Sequence, residues 1–299
     1  MHTAVIGMGT MGAPMARNLL AASHDIVVYN RTASRTDELA KQGARTAASP
    51  ADAARNADIV LICVSDTADV RQVLLDDPGG VITTVSEGAL VIDCSTISPS
   101  ATRDFADVFR KKGVGFVDAP VSGGSEGAIK GTLAIMCGGS EEDMARARPL
   151  LEVIGASVTH VGPVGAGQVT KAVNQIAIAG TYRALAEGLV LASRAGVDPE
   201  RVVAAISGGA AASWVLDNRA DNMIRNTYPL GFRLRLHRKD LKIALEEANR
   251  LGVSLDLTHL VARAEDRLLE AGFGDEDMST IARGVRDESG LPQESLKKE

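Results

Sequence analysis

A chain of 299 residues has room for two domains, each with a substantial core. Apolar residues at 45% and charged residues at 23% describe a water-soluble globular protein, while a net charge of -6 and 3% aromatic residues argue against a basic or base-stacking surface, so no nucleic-acid partner is expected. No uncharged apolar run reaches about 18 residues, and a strand begins too early to leave space for a signal peptide, so no membrane partner and a cytoplasmic location are expected.

The first predicted strand covers residues 3–6. It runs into Gly7-Met8-Gly9-Thr10-Met11-Gly12, and a helical pattern follows over 11–22. Strand, Gly-x-Gly-x-x-Gly and helix in this order form a dinucleotide-binding fingerprint. Gly7 permits the tight turn, Gly9 lets a pyrophosphate approach the backbone, and Gly12 lets the helix pack close to the strand. The helix N-terminus then faces the phosphates. Taken alone, the motif also fits an empty βα turn. A second strand over 25–30 completes the βαβ unit. Its last residue, Asn30, stands eighteen residues beyond Gly12, where an NAD enzyme places an acid for the ribose 2′-hydroxyl. Asn30-Arg31-Thr32 follows instead, with Arg35 a turn later. A guanidinium and a hydroxyl suit a 2′-phosphate, which favours NADP and leaves NAD possible. A solvated loop arginine is the alternative.

Residues 58–64 and 90–96 are near-continuous apolar runs that end in hydroxyls, as for parallel strands covered on both faces. Further strands are predicted at 115–120, 132–138 and 157–161, with helices at 100–112 and 141–154 among them. Repeated βα alternation gives an α/β, doubly wound, mostly parallel sheet. Ser122-Gly123-Gly124, inside Pro120–Ala128 and its three glycines, exposes backbone amides and a hydroxyl that can cradle a small carboxylate; a flexible connection reads the same way. The three cysteines, Cys63, Cys94 and Cys137, sit in apolar runs without a C-x-x-C pair, and the five histidines are scattered, so reduced thiols and no metal site are expected.

After Gly162-Pro163-Val164-Gly165-Ala166-Gly167 no convincing strand remains. Residues 168–195 form one long predicted helix, apolar on nearly every side and therefore expected to be buried. Lys171 falls in its first turn, near Asn174 and Gln175 on one face. A lysine there meets desolvation and an opposing helix dipole, and both lower its pKa toward the range of an acid–base group. A lysine snorkelling at a helix end is the other reading. Helices are also predicted at 199–207, 213–224, 237–251, 256–271 and 277–285. Lys239-Asp240 opens the third of these.

Four motifs in order then resemble the β-hydroxyacid dehydrogenase family: Gly7-x-Gly9-x-Met11-Gly12; Asp118-Ala119-Pro120-Val121-Ser122-Gly123-Gly124; Gly165-x-Gly167-x-x-x-Lys171-x-x-Asn174-Gln175; and Lys239-Asp240-Leu241. The family includes 3-hydroxyisobutyrate dehydrogenases, 2-hydroxy-3-oxopropionate (tartronate semialdehyde) reductases and glyoxylate/succinic semialdehyde reductases. The resemblance, over about residues 3–290, implies a Rossmann NAD(P)-binding domain at 1–163, an all-helical substrate and dimerisation domain at 164–291 reached through the long helix, and a polar tail at 292–299. It implies hydride transfer between a nicotinamide and a short β-hydroxy acid or its semialdehyde, by a homodimer or homotetramer. Lys171 is then the general acid/base, with Asn174 and Gln175 beside it in the catalytic group. Ser122, Gly123 and Gly124 would hold the substrate carboxylate. Gly7, Met8, Gly9, Thr10, Met11, Gly12, Asn30, Arg31, Thr32, Val64, Ser65, Thr96 and Lys239 would contact the cofactor. Phe232 and Trp214 are candidates for shaping the substrate pocket. Imine reductases share the architecture but usually lack this lysine, and non-catalytic cofactor-binding relatives replace it.

Overall fold

The computed structural model describes residues 2–293 and 296. The chain divides into two compact units, Met1–Lys171 and Ala172–Glu299.

The first unit opens with β1 (His2–Ile6), α1 (Gly12–Ala21), β2 (Asp25–Tyr29), α2 (Asp37–Lys41), β3 (Arg45–Thr46), α3 (Pro50–Ala54), β4 (Ile59–Ile62), α4 (Thr67–Leu75), β5 (Leu90–Asp93), α5 (Pro99–Arg110) and β6 (Gly115–Asp118). It continues with β7 (Val121–Ser122), α6 (Gly124–Lys130), β8 (Leu133–Gly138), α7 (Glu141–Ile154), β9 (Gly155–Gly162) and the opening of α8 (Ala166–Arg194). The strands form one sheet in the order β3-β2-β1-β4-β5-β6-β8-β7, with β9 paired to β8. β4 and β5 are buried at every position because helices cover both faces of the sheet. Val5, Val28, Leu61 and Ile92 meet Met15 and Leu19 of α1 and Leu150 of α7 on one face. Their sequence neighbours Ala4, Ile6, Val60 and Val91 meet Val70 of α4 and Phe105 and Phe109 of α5 on the other. Side-chain caps start the helices sharply: Ser49 for α3, Asp66 for α4, Ser98 for α5 and Ser140 for α7. Each such cap contributes about 1 kcal/mol.

The strands from β3 to β6 are parallel, as the alternation predicts, but β8 runs antiparallel to β6. Beside β8 also lies β7, a two-residue strand absent from the sequence reading. It runs on in the direction of β6 and pairs antiparallel with β8 through Val121–Ile135 and Ser122–Ala134, and the chain turns back between β7 and β8 through α6.

The second unit holds the rest of α8 with α9 (Pro199–Ile206), α10 (Trp214–Arg225), α11 (Leu234–Leu251), α12 (Asp256–Glu270), a 3-10 turn at Met278–Thr280 and α13 (Ile281–Glu288). Ala179, Tyr182, Ala186 and Leu189 of α8 pack with Val215, Met223, Leu241, Val261 and Ile281 in its core. The expectation of a helix buried on all sides fails. Val173 is 60% and Leu191 70% exposed, so α8 buries one stripe and leaves apolar residues outside it. By length and composition α8 could also cross a membrane, which the sequence reading did not anticipate. Its middle carries Arg183, paired at 2.5 Å with Glu187 and 2.7 Å with Glu288, a charged group at odds with a lipid-facing span. Of the expected polar tail, 294–295 and 297–299 lie outside the described residues. Leu296 is buried against the helical core, and its amide donates to the Ile224 carbonyl.

Candidate active site

The glycine turn sits at the carboxyl end of β1, between β2 and β4, where the strand order reverses and α/β sheets hold their ligands. Gly7 has φ +101°, and a Cβ there would lie 2.2 Å from the Cys63 carbonyl oxygen. A Cβ on Gly12 would lie 1.9 Å from the Gly7 carbonyl oxygen. Both positions therefore require glycine. Gly9 has nothing within 4 Å of its missing Cβ, so its backbone is approachable. The first turn of α1 has no side-chain cap and no acid. An open glycine before an uncapped helix start fits the pyrophosphate of a dinucleotide, with Gly7 to Gly12 as its cradle.

Asn30 has a structural task that sequence reasoning missed. Its Oδ1 accepts the Met8 amide at 2.9 Å and its Nδ2 donates to the Thr32 carbonyl at 2.9 Å, which pins the glycine turn to the end of β2. Arg31 and Thr32 are exposed beyond it. Arg31 lies 3.2 Å from Asp69 in a solvent-screened pair, leaving its guanidinium little committed to the protein.

Ser65, exposed, and Thr96, half-buried, follow β4 and β5 at the same edge. Buried groups that the sequence reading did not single out hold these loops. The Val64 amide donates to Ser95 Oγ at 2.9 Å, and the Ser95 amide donates to Asp93 Oδ1 at 2.9 Å. Gln168 accepts the Ile97 amide at 3.1 Å through Oε1 and donates to the Ser95 carbonyl at 2.8 Å through Nε2. A polar residue at the start of an apolar helix was the available signal.

Ser122 ends β7, and Gly123 and Gly124 follow with φ of +128° and +63°, a path that side chains with a Cβ resist. Four residues before Ser122, Asp118 ends β6 and fixes the start of α8. Its Oδ1 accepts the Gly165 amide at 2.7 Å and its Oδ2 the Gln168 amide at 2.9 Å. A Cβ on Gly167 would lie 2.4 Å from the Met136 carbonyl oxygen, so glycine is required for this approach. Burial pushes the Asp118 carboxyl up to about 6, against the backbone amides that favour its ionised form.

Lys171 is buried at 6% exposure. Because α8 starts at Ala166, two residues earlier than expected, Lys171 lies in its second turn. The helix-dipole argument weakens there, and desolvation remains. Asn174, half-buried, and Gln175, 1% exposed, come later on α8 and belong to the second unit. Within that unit Asn174 Nδ2 donates to Gln175 Oε1 at 2.7 Å, and Gln175 Nε2 donates to Asp240 Oδ2 at 2.6 Å. Asp240 Oδ1 lies 2.9 Å from Lys239 Nζ. α11 starts at Leu234, so Lys239 and Asp240 also sit in a second turn, not at a helix end. His237, fully buried, places Nδ1 2.6 Å from Glu265 Oε1 and Nε2 3.4 Å from the Gln175 carbonyl. Burial opposes an imidazolium, but the charge and hydrogen bond of Glu265 outweigh it and raise the His237 pKa. Phe232 packs edge-on against His237 at 6.2 Å, while Trp214, half exposed, stacks with Arg219 at 4.7 Å.

Comparison with known proteins gives the family. Residues 2–162 match the family described as the NAD binding domain of 6-phosphogluconate dehydrogenase, and 165–285 the one described as NAD-binding of NADP-dependent 3-hydroxyisobutyrate dehydrogenase. The 2-hydroxy-3-oxopropionate reductase of Escherichia coli is 41% identical over 86% of this chain and 88% of its own. The NAD-dependent L-serine dehydrogenase of Pseudomonas aeruginosa is 35% identical over 94% and 96%. The structure of 3-hydroxyisobutyrate dehydrogenase from Mycobacterium tuberculosis with L-serine superposes with a TM-score of 0.87 at 30% identity, covering 95% of this chain and 99% of that one. Glycine turn, lysine helix and relatives together identify the chain as a member of the β-hydroxyacid dehydrogenase family, an NAD(P)-dependent hydroxyacid oxidoreductase.

Proposed function

We propose that the protein interconverts a short β-hydroxy acid and its semialdehyde with NADP(H), using Lys171 as the acid–base group. The observation that carries this reading is a buried lysine on a helix whose start is anchored to the sheet by Asp118. Bound nicotinamide supplies the hydride in reduction and accepts it in oxidation. In reduction the Lys171 ammonium gives its proton to the oxygen of the reacting carbonyl as that oxygen gains charge. In oxidation the neutral amine takes the hydroxyl proton. A buried site strengthens this exchange, since water does not compete for the lysine.

The Ser122 hydroxyl and the amides of Gly123 and Gly124 receive the substrate carboxylate. Asn174 and Gln175 orient the substrate and the acid–base group. Met8, Thr10 and Met11 contribute with the three glycines to the pyrophosphate cradle, and Val64, Ser65, Thr96 and Lys239 make further cofactor contacts. Arg31 and Thr32 bind the 2′-phosphate, with Asn30 holding their loop. A second copy of the chain is the macromolecular partner, in a dimer or tetramer; exposed Val173, Leu191, Leu257 and Leu260 of the helical unit support this.

The test is an NADPH-oxidation assay with tartronate semialdehyde, succinic semialdehyde, glyoxylate and methylmalonate semialdehyde, repeated with NADH. Reduction of at least one, with a lower KM for NADPH than for NADH, is expected. No turnover of any, or a preference for NADH, would refute the reading.

A further inference from the structure

We infer that Asp240 is a positioning residue that fixes which end of the Asn174 amide faces the chemistry, an inference that rests on the proposed acid–base reading. A carboxylate only accepts hydrogen bonds, whereas an amide side chain donates at one end and accepts at the other. Asp240 is 3% exposed and Gln175 1%, so water does not relax their pairing. With 2.6 Å between Asp240 Oδ2 and its partner on Gln175, that partner has to be the Nε2 donor. The flipped amide would set two acceptor oxygens against each other.

Gln175 therefore turns Oε1 to Asn174. At 2.7 Å this oxygen in turn requires the Nδ2 end of Asn174. Oδ1 of Asn174 is left as the end turned from the relay, so Asn174 offers the substrate and its acid–base group an acceptor. The direction of two amides thus follows from one buried carboxylate on α11. The carboxylate is itself held: Lys239 Nζ lies 2.9 Å from its other oxygen. The relay backbone is fixed from below by His237, whose ring faces the Gln175 carbonyl and is paired with Glu265.

The test compares Asp240→Asn with the double variant Asp240→Asn/Gln175→Glu. The single variant removes the obligate acceptor at almost constant shape, so Gln175 and Asn174 can flip. The double variant moves the carboxylate one step along the relay. A carboxylate at position 175 accepts from the new amide at position 240 and from Asn174 Nδ2, and the Asn174 direction returns. Both variants lose the Lys239 ion pair, so a KM increase for NADPH common to both reads that loss. The relay is read in kcat. Asp240→Asn is expected to lower kcat about tenfold or more at near-wild-type melting temperature, and the double variant to recover most of it. Unchanged kcat in the single variant, or no recovery in the double, would overturn the inference. If Asp240→Asn does not fold, Gln175→Met breaks the relay at the next link and carries the same expectation and the same refutation. Lys171→Ala, assayed alongside, separates the two levels. Loss of turnover there with full kcat in Asp240→Asn rejects the relay alone; full turnover in Lys171→Ala rejects the acid–base reading and the relay with it.

Discussion

Arg31 is the residue at which the proposed preference for NADP is tested. Among the described residues its exposed guanidinium has the screened Asp69 pair to give up if it meets a 2′-phosphate. Arg31→Asp replaces that attraction by repulsion, so KM for NADPH is expected to rise about 10- to 100-fold while KM for NADH stays near wild type. Equal effects on both cofactors would contradict the assignment. At this scale the sequence was informative about residue type and less so about use. The missing acid at Asn30 was legible, because spacing from Gly12 marks the position. Its hydrogen bonds to Met8 and Thr32 were not, since they depend on how the turn closes over β2. Ser95 and Gln168 escaped notice for the same reason: they bond each other across 73 positions of the chain.

Among the elements, the start of α8 is the most consequential. Periodicity revealed a long helix, but not its first residue, because the cap comes from Asp118 on β6 and not from a neighbouring Ser, Thr or Asp. The same carboxylate makes stability pH-dependent. Burial raises it from 3.8 to about 6, so the folded protein takes up this proton before the unfolded chain does. The charge therefore opposes folding above about pH 6, and that penalty fades as pH falls toward 4. Relative to Asp118→Asn, which has no such titration, wild type is expected to gain roughly 3 kcal/mol in urea unfolding between about pH 8 and pH 4. A stability gap independent of pH would contradict this origin. β7 was equally hidden, since two residues carry no periodicity, and with it the antiparallel pairing of β8.

Across the whole molecule, alternation and composition were enough for an α/β sheet followed by helices, because burial on both sheet faces leaves long apolar runs that are easy to see. Exposure of α8 was not legible: a helix apolar on all sides reads the same whether its outer face meets the core of its own unit or is left outside it. Family membership rests on motifs scattered along the chain, and the chemistry proposed for them converges on Lys171. The decisive measurement is Lys171→Ala in single-turnover reduction with NADPH, alongside fluorescence titration of NADPH binding. Hydride transfer is expected to slow by about 100- to 10,000-fold while NADPH binds as in the wild type. Near-wild-type hydride transfer by a variant that still binds NADPH would contradict the account.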